Sequence, residues 1–145
     1  MNNTLVCLEG KIDFNEDIKT QTVNIITFRT GQQITINRDH LPAERTFAEH
    51  ISQQINNAEK IFNQFNLVKM DEIKDGTFFA DTIQVIYSFL SGQGAGKRVW
   101  QVTYACQISE SETLNFTSMY PDEASMKNEI GRLRHCAEAF ILSKN

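Results

Sequence analysis

Apolar residues recur at helical spacing in only two segments of this chain, whereas most of the remaining sequence alternates apolar and polar residues at strand spacing. The first helical segment is 46–63, and Thr46-Phe-Ala-Glu49 predicts its start, because a Thr and a Glu three residues apart satisfy two otherwise unpaired backbone donors. Its apolar face carries Phe47, Ile51, Ile55, Ala58 and Phe62. The second segment is 122–142, which begins beside Pro121 and Asp122. Its apolar stripe carries Met126, Ile130, Leu133, Ala137, Phe140 and Ile141.

Seven further segments are predicted to be strands. They are Leu5–Asp13, Thr22–Arg29, Gln32–Arg38, Leu67–Lys74, Thr82–Leu90, Arg98–Ile108 and Thr113–Tyr120. Thr30-Gly31 and Asp75-Gly76 are turn signals between neighbouring strands. The order β-β-β-α-β-β-β-β-α with short connections predicts an α+β fold, in which two amphipathic helices pack on a mostly antiparallel sheet. Without repeats or a proline-rich linker, residues 1–145 are expected to form a single domain.

Composition narrows the class of protein. An apolar content of 41% in 145 residues is enough for one core, and the net charge of -4 argues against a nucleic-acid-binding protein. No apolar run reaches the roughly 20 residues of a membrane-spanning helix, and the N-terminus does not resemble a signal peptide, so we expect no membrane insertion. The three cysteines are widely spaced, which favours reduced thiols and a cytoplasmic location. Cys7 and Cys106 alternate with strand residues and are interpreted as small apolar fillers.

The residue types that carry catalysis or bind metals do not form a recognisable motif. Ser91-Gly-Gln-Gly-Ala-Gly-Lys97 has the wrong spacing for a phosphate-binding loop and joins two strands, so it is predicted to be a flexible hairpin loop. His40, His50 and His135 lie outside any metal-binding spacing. The carboxylates of Asp39, Glu44 and Glu49 are interpreted as solvated or capping groups. We therefore expect a binding protein that is not an enzyme and has no cofactor and no metal.

Strand 22–29 departs from simple alternation because both of its faces carry bulky side chains. If Ile26 and Phe28 enter the core together with Ile34 and Ile36, the other face is left outward. That face then carries Val23 and Ile25 beside Gln33, Thr35 and Asn37. Gln54 adds an amide within the apolar stripe of the first helix. Two interpretations remain open: a sheet buried on both faces with locally hydrogen-bonded polar groups, or a concave platform for a partner that is apolar but carries some polar groups.

A set of short segments, taken in order, resembles a known family. The segments are Val23-Asn-Ile-Ile, Ile34-Thr-Ile-Asn-Arg-Asp39, Phe47-Ala-Glu-His-Ile-Ser-Gln-Gln54-Ile-Asn-Asn-Ala-Glu-Lys60, Phe65-Asn-Leu67 and Trp100-Gln101-Val102. In this order they resemble the Eag-type chaperones of type VI secretion effectors, over roughly residues 20–105, and the two ends match by element order. The resemblance implies a PsbP/DcrB-like α+β fold.

The resemblance also implies a function. Members of this family are cytoplasmic homodimers that bind the N-terminal transmembrane helices of a cognate effector and shield them until the effector is loaded for export. The positions that would contact the effector helix are Val23, Ile25, Gln33, Thr35, Asn37, Gln54 and Gln101, with Phe62 as a further apolar candidate. Thr103 and Lys97 occupy positions where more apolar residues are expected. The alternatives are a general protein-interaction module on the same fold and a hydrolase or small-ligand enzyme.

Overall fold

The computed structural model describes residues 3–74, 81–91 and 96–140. Its two helices are α1 (Phe47–Ile61) and α2 (Glu123–Ala139), and both lie within the predicted segments. The Thr46 hydroxyl accepts a hydrogen bond from the backbone N–H of Glu49 at 3.2 Å, and the Asp122 carboxylate accepts one from the backbone N–H of Ser125 at 2.7 Å. Both predicted helix starts are confirmed. Across the described residues, neither helix combines the length and the apolar character needed to cross a bilayer.

Eight strands accompany the helices. They are β1 (Thr4–Cys7), β2 (Gly10–Asp13), β3 (Asn24–Thr27), β4 (Gln33–His40), β5 (Asn63–Ile73), β6 (Asp81–Ser91), β7 (Lys97–Gln107) and β8 (Glu112–Tyr120). Six of them form one sheet in the order β3-β4-β8-β7-β6-β5, in which all neighbours are antiparallel. The first two strands pair separately as a two-stranded sheet. The predicted α+β fold with a mostly antiparallel sheet is confirmed.

The two helices pack on opposite faces of the six-stranded sheet. On one face, Leu133 and Ala137 of α2 share a buried cluster with Val102 and Tyr104. On the other face, the buried residues of α1 pack with the odd-numbered residues of β6. Strand β6 therefore lies between both helices, and every residue in the range 82–89 is buried. The odd-numbered residues that face α1 are all apolar, whereas the other face of β6 carries the buried polar residues Thr82, Gln84 and Ser88.

The structure corrects several predicted boundaries. Leu5–Asp13 is a hairpin rather than one strand, because the chain turns between β1 and β2. Cys7 is consequently exposed, and its interpretation as an apolar filler is wrong. Strand β5 begins at Asn63, four residues before the predicted start, through two irregularities in its pairing with β6. The predicted turn Asp75-Gly76, most of the predicted loop 91–97 and Ile141 lie outside the described residues, although Ser91 and Lys97 at the loop ends are paired.

Buried thiol and phenol groups give the fold an expected pH dependence. Burial raises the pKa of the Cys106 thiol from 9.0 to about 12, and it also raises the pKa of Tyr87, Tyr104 and Tyr120. The folded state favours the neutral form of each group, which adds to the free energy of unfolding. For Cys106 this stabilisation is fully present below pH 9 and is lost as the pH rises towards 12. We expect the free energy of unfolding in urea to fall by roughly 2 kcal/mol from Cys106 alone by about pH 10.5. A Cys106→Ala variant should show a shallower decline, and an equal decline would contradict this assignment.

Candidate functional site

Helix α1 covers only part of its face of the sheet. Its apolar residues pack over β5, β6 and β7, while the same face of β3, β4 and β8 extends beyond the helix. This surface is a trough. Its floor is formed by the outward-facing residues of these three strands, and its wall is the side of α1. The β7 residues Gln101 and Thr103 lie at its margin. The trough floor carries Ile25, Gln33, Thr35, Asn37, Asn115, Thr117 and Met119.

Large apolar side chains are exposed at the outer part of the trough. Ile25 is 64% exposed and Met119 is 52% exposed, and Val23 just before β3 is 43% exposed. Ile25 lies directly opposite Thr35 in the β3–β4 pair, as the alternation of the two strands predicts. On the reverse face, Ile34 is fully buried and Ile26 packs against the same cluster. The predicted division of these strands into a core face and an outward face is confirmed.

The trough contains two adjoining cavities. The larger, of about 660 Å³, is lined by residues that include Gln33, Thr35 and Gln101, and Glu129 is its one charged residue among those described. The smaller, of about 180 Å³, lies between α1 and the sheet, is lined by uncharged residues that include Gln54, and shares Asn37, Gln101 and Thr117 with the larger cavity. A lining of aliphatic, amide and hydroxyl groups suits an apolar ligand that carries a few uncharged polar groups.

Several polar groups of the trough are hydrogen-bonded within the protein. The amide of Gln33 donates to Thr27 at 3.3 Å, the amide of Gln101 donates to the Tyr87 hydroxyl at 2.7 Å, and the hydroxyls of Thr103 and Thr117 are 2.9 Å apart. The interpretation with locally hydrogen-bonded polar groups is therefore correct for these side chains. These bonds orient the side chains of Gln33 and Gln101 through their amide nitrogens. The side-chain carbonyl oxygen of each can still accept a hydrogen bond from a ligand.

Other polar groups of the trough have unused hydrogen-bonding capacity. The Asn115 Oδ1 atom is buried and has no hydrogen-bond partner among the described residues. Asn37 lies directly opposite Asn115, and Thr35 lies opposite Thr117 in the next row. A buried acceptor without a partner costs about 1–3 kcal/mol, and a ligand that donates a hydrogen bond would recover that cost.

A cluster at one end of the trough was not foreseen from the sequence. His50 is buried, its Nε2 lies 3.1 Å from Asp39 Oδ2, and the Gln54 amide donates to the same oxygen. Asp39 lies eight residues before Phe47, the first residue of α1, so only the path of the chain from β4 to α1 brings it back to the helix. Gln54, predicted from the resemblance to face a ligand, is thus held by Asp39 while it also lines the smaller cavity. The His50 Nε2 atom also lies 3.2 Å from the Gln54 amide nitrogen, so the His50 ring is held by Asp39 and Gln54.

Phe62 lies outside the two cavities. Its ring stacks on Phe89 with centroids 4.2 Å apart and lies 6.2 Å from Tyr87, at the end of α1 above β6. Its half-buried position supports the packing of α1. The structure therefore brings Gln33, Thr35, Asn37, Gln54 and Gln101 together, places Val23 and Ile25 at the outer edge, and leaves Phe62 apart.

A polar network fixes the end of the trough that adjoins α2. The buried Gln32 side-chain amide donates to the hydroxyls of Tyr120 at 3.0 Å and Ser118 at 3.3 Å, and Arg132 of α2 donates to the Gln32 side-chain oxygen Oε1 at 2.9 Å. The Arg132 guanidinium also lies 4.8 Å from the ring centroid of Phe28. The β3–β4 turn is consequently held against α2, which keeps the trough floor in place.

Comparison with known proteins supports the fold. The family model DcrB matches residues 9–133. The structure is similar to the crystal structure of PA94 from Pseudomonas aeruginosa, a protein of unknown function described as a candidate regulator, with a TM-score of 0.72 and 16% identity, over 98% of this chain and 97% of that chain. No curated protein matches the chain. The DcrB-like α+β fold that the resemblance implied is therefore confirmed.

Proposed function

The chain belongs to the DcrB family, and we propose that it is a cytoplasmic chaperone whose trough binds and shields an apolar helix of a partner protein. The resemblance of residues 20–105 to Eag-type chaperones makes the partner the N-terminal transmembrane region of a type VI secretion effector. The chaperone acts as a homodimer, without catalysis or a cofactor, and aids the loading of the effector for export.

One observation carries this proposal. Within residues 3–74, 81–91 and 96–140, no helix covers the sheet face beside α1 over three strands, and its exposed floor combines Ile25 and Met119 with uncharged amides and hydroxyls. An apolar surface that is merely part of a core would be covered by the protein's own helices. A surface for a charged or fully polar partner would lack the aliphatic residues.

The mixed surface matches the chemistry of a transmembrane helix in water. Burying apolar area contributes about 25 cal/mol per Å², which supplies affinity for any apolar helix. Transmembrane helices that pack closely carry small and hydroxyl-bearing residues, and interhelical hydrogen bonds to such groups contribute about 0.6–2 kcal/mol each. The unpaired acceptor of Asn115 and the amide of Asn37 offer such bonds. A helix without donors would leave these groups buried and unpaired, which provides selectivity.

Two synthetic helices test the proposal. One is an apolar peptide of about 20 residues built from Leu and Ala with terminal Lys residues, and the other carries Ser along one face at every fourth position. Fluorescence anisotropy should show saturable binding of both, with about ten-fold tighter binding of the Ser-bearing peptide. Absence of binding, or equal binding to a soluble polar helix, would overturn the proposal in favour of a general interaction module. A reading frame next to the gene that encodes a large protein beginning with apolar segments would identify the natural partner.

A further inference from the structure

Strand β5 is a long edge strand of the sheet, with no further strand beside it among the described residues. It ends the strand order opposite β3 and spans eleven residues, whereas β3 spans four. Its side chains are largely exposed: Leu67 is 43% exposed and Val68 is 49% exposed. An exposed edge strand of this length offers unpaired backbone donors and acceptors to another strand.

We propose that the β5 edges of two copies of this chain pair antiparallel, with the two-fold axis at Met70, so that the two sheets become one sheet of twelve strands. Charge complementarity along the edge identifies the partner as a second copy. Lys69 and Asp71 flank Met70, lie on the same face of the sheet, and have their charged atoms 3.3 Å apart. In a two-fold pair centred on Met70, each Lys69 lies opposite the Asp71 of the other copy, twice per interface.

Charge and strand overlap distinguish this register from the other symmetric ones. The segment Lys69–Ile73 pairs with β6 without a shift, so its side chains alternate regularly between the two faces of the sheet. If the two-fold axis passed between two residues, each residue would lie opposite one whose side chain is on the other face of the sheet. The axis must therefore pass through a residue pair. Centring on Lys69, Asp71 or Glu72 places two identical charges directly opposite each other, which is destabilising. A centre on Ile73 would pair Glu72 with Lys74, but Ile73 is the last residue of β5, so that register overlaps only the end of the strand. Met70 is the centre that pairs opposite charges within the strand.

The proposed pairing has a geometric consequence for the trough. A two-fold axis normal to the sheet keeps the α1 faces of both copies on the same side. Because β4 and β8 lie about four strands from the axis, the two troughs would open in the same direction, separated by roughly 40 Å along the sheet. This consequence rests on the proposed chaperone function. A dimer with one bound helix in each trough would present both apolar helices on the same side of the joined sheet.

Charge reversal tests the interface directly. In sedimentation velocity across the micromolar range, the wild-type chain should be a dimer. Lys69→Asp and Asp71→Lys should each raise the dimer dissociation constant at least about ten-fold, because each places two like-charge pairs across the interface. The double variant Lys69→Asp/Asp71→Lys restores opposite charges and should restore the dimer.

The matched control is Lys127→Asp, which reverses a charge in the exposed Lys127–Glu123 ion pair of α2 and should leave the dimer unchanged. A second measurement uses Met70→Cys in a Cys7→Ser background. Oxidation with diamide should give a covalent dimer, since opposed residues of antiparallel strands have Cα atoms within disulfide range.

A monomeric wild-type chain, single reversals that leave the dimer intact, or a double variant that stays monomeric would overturn the proposal. Peptide binding is measured separately. A monomeric variant that binds the Ser-bearing peptide keeps the proposed helix binding and isolates the dimer interface, while a dimer that binds neither peptide refutes the helix binding alone.

Discussion

Replacing Ile25 by Asp is expected to abolish binding of an apolar helix while the protein remains folded. Ile25 is 64% exposed in the outer part of the trough, so a carboxylate there stays hydrated in the free protein. A bound helix would bury that carboxylate without a partner, at a cost of several kcal/mol, and the apolar contact of Ile25 would be lost as well. We expect at least a thousand-fold weaker binding by anisotropy, roughly 4 kcal/mol, with an unchanged circular dichroism spectrum.

Two control variants separate binding from folding. Ile61→Asp changes an apolar residue that is 74% exposed but does not line the trough cavities, and peptide affinity should change little. Ile34→Asp places a carboxylate on the fully buried face of the neighbouring strand and should unfold the protein. Loss of the native spectrum in Ile25→Asp would show that Ile25 belongs to the core. Unchanged peptide affinity would show that the trough is not the binding surface.

The local parts of this fold were predictable because local chemistry determines them. The N-cap of α1 follows from Thr46 and Glu49, and the facing of β3 and β4 follows from period-two alternation around the Thr30-Gly31 turn. The placement of Ile25 opposite Thr35 follows from the alternation and the turn alone.

The arrangement of the helices around the sheet was not predictable in the same way. Amphipathic periodicity shows that α1 and α2 each bury one face, but it does not show which face of the sheet either one covers. The sequence of β6 gave little signal of its burial on both faces, because only the face towards α1 is fully apolar, while Thr82, Gln84 and Ser88 are buried on the other. How far α1 extends across the sheet depends on long-range packing, and so does the return of Asp39 to His50. The two sequence-based interpretations each describe part of the result, since the sheet is doubly buried under α1 and open beside it.

Selectivity is expected to depend on the polar residues of the trough floor. A triple variant with Thr35→Val, Asn37→Leu and Asn115→Leu keeps the trough but removes its hydroxyl and amide groups. The free protein should be no less stable, because the unpaired Asn115 acceptor is removed with its cost of about 1–3 kcal/mol. The all-aliphatic peptide should bind at least as tightly as to the wild-type chain, whereas the Ser-bearing peptide should lose its hydrogen-bonding advantage.

The measurable quantity is the ratio of the two peptide affinities. Hydrogen bonds of about 0.6–2 kcal/mol each predict a ratio of about ten for the wild-type chain and about one for the triple variant. A matched control makes the same changes on exposed residues outside the trough cavities, Thr22→Val, Asn56→Leu and Asn57→Leu, and should keep the wild-type ratio. A triple variant that still prefers the Ser-bearing peptide would assign selectivity to other groups, of which the carbonyl oxygens of Gln33 and Gln101 are the nearest. The polar floor thus makes a separate contribution from the apolar residues: Ile25 determines whether a helix binds, and the amides and hydroxyls determine which helix is preferred.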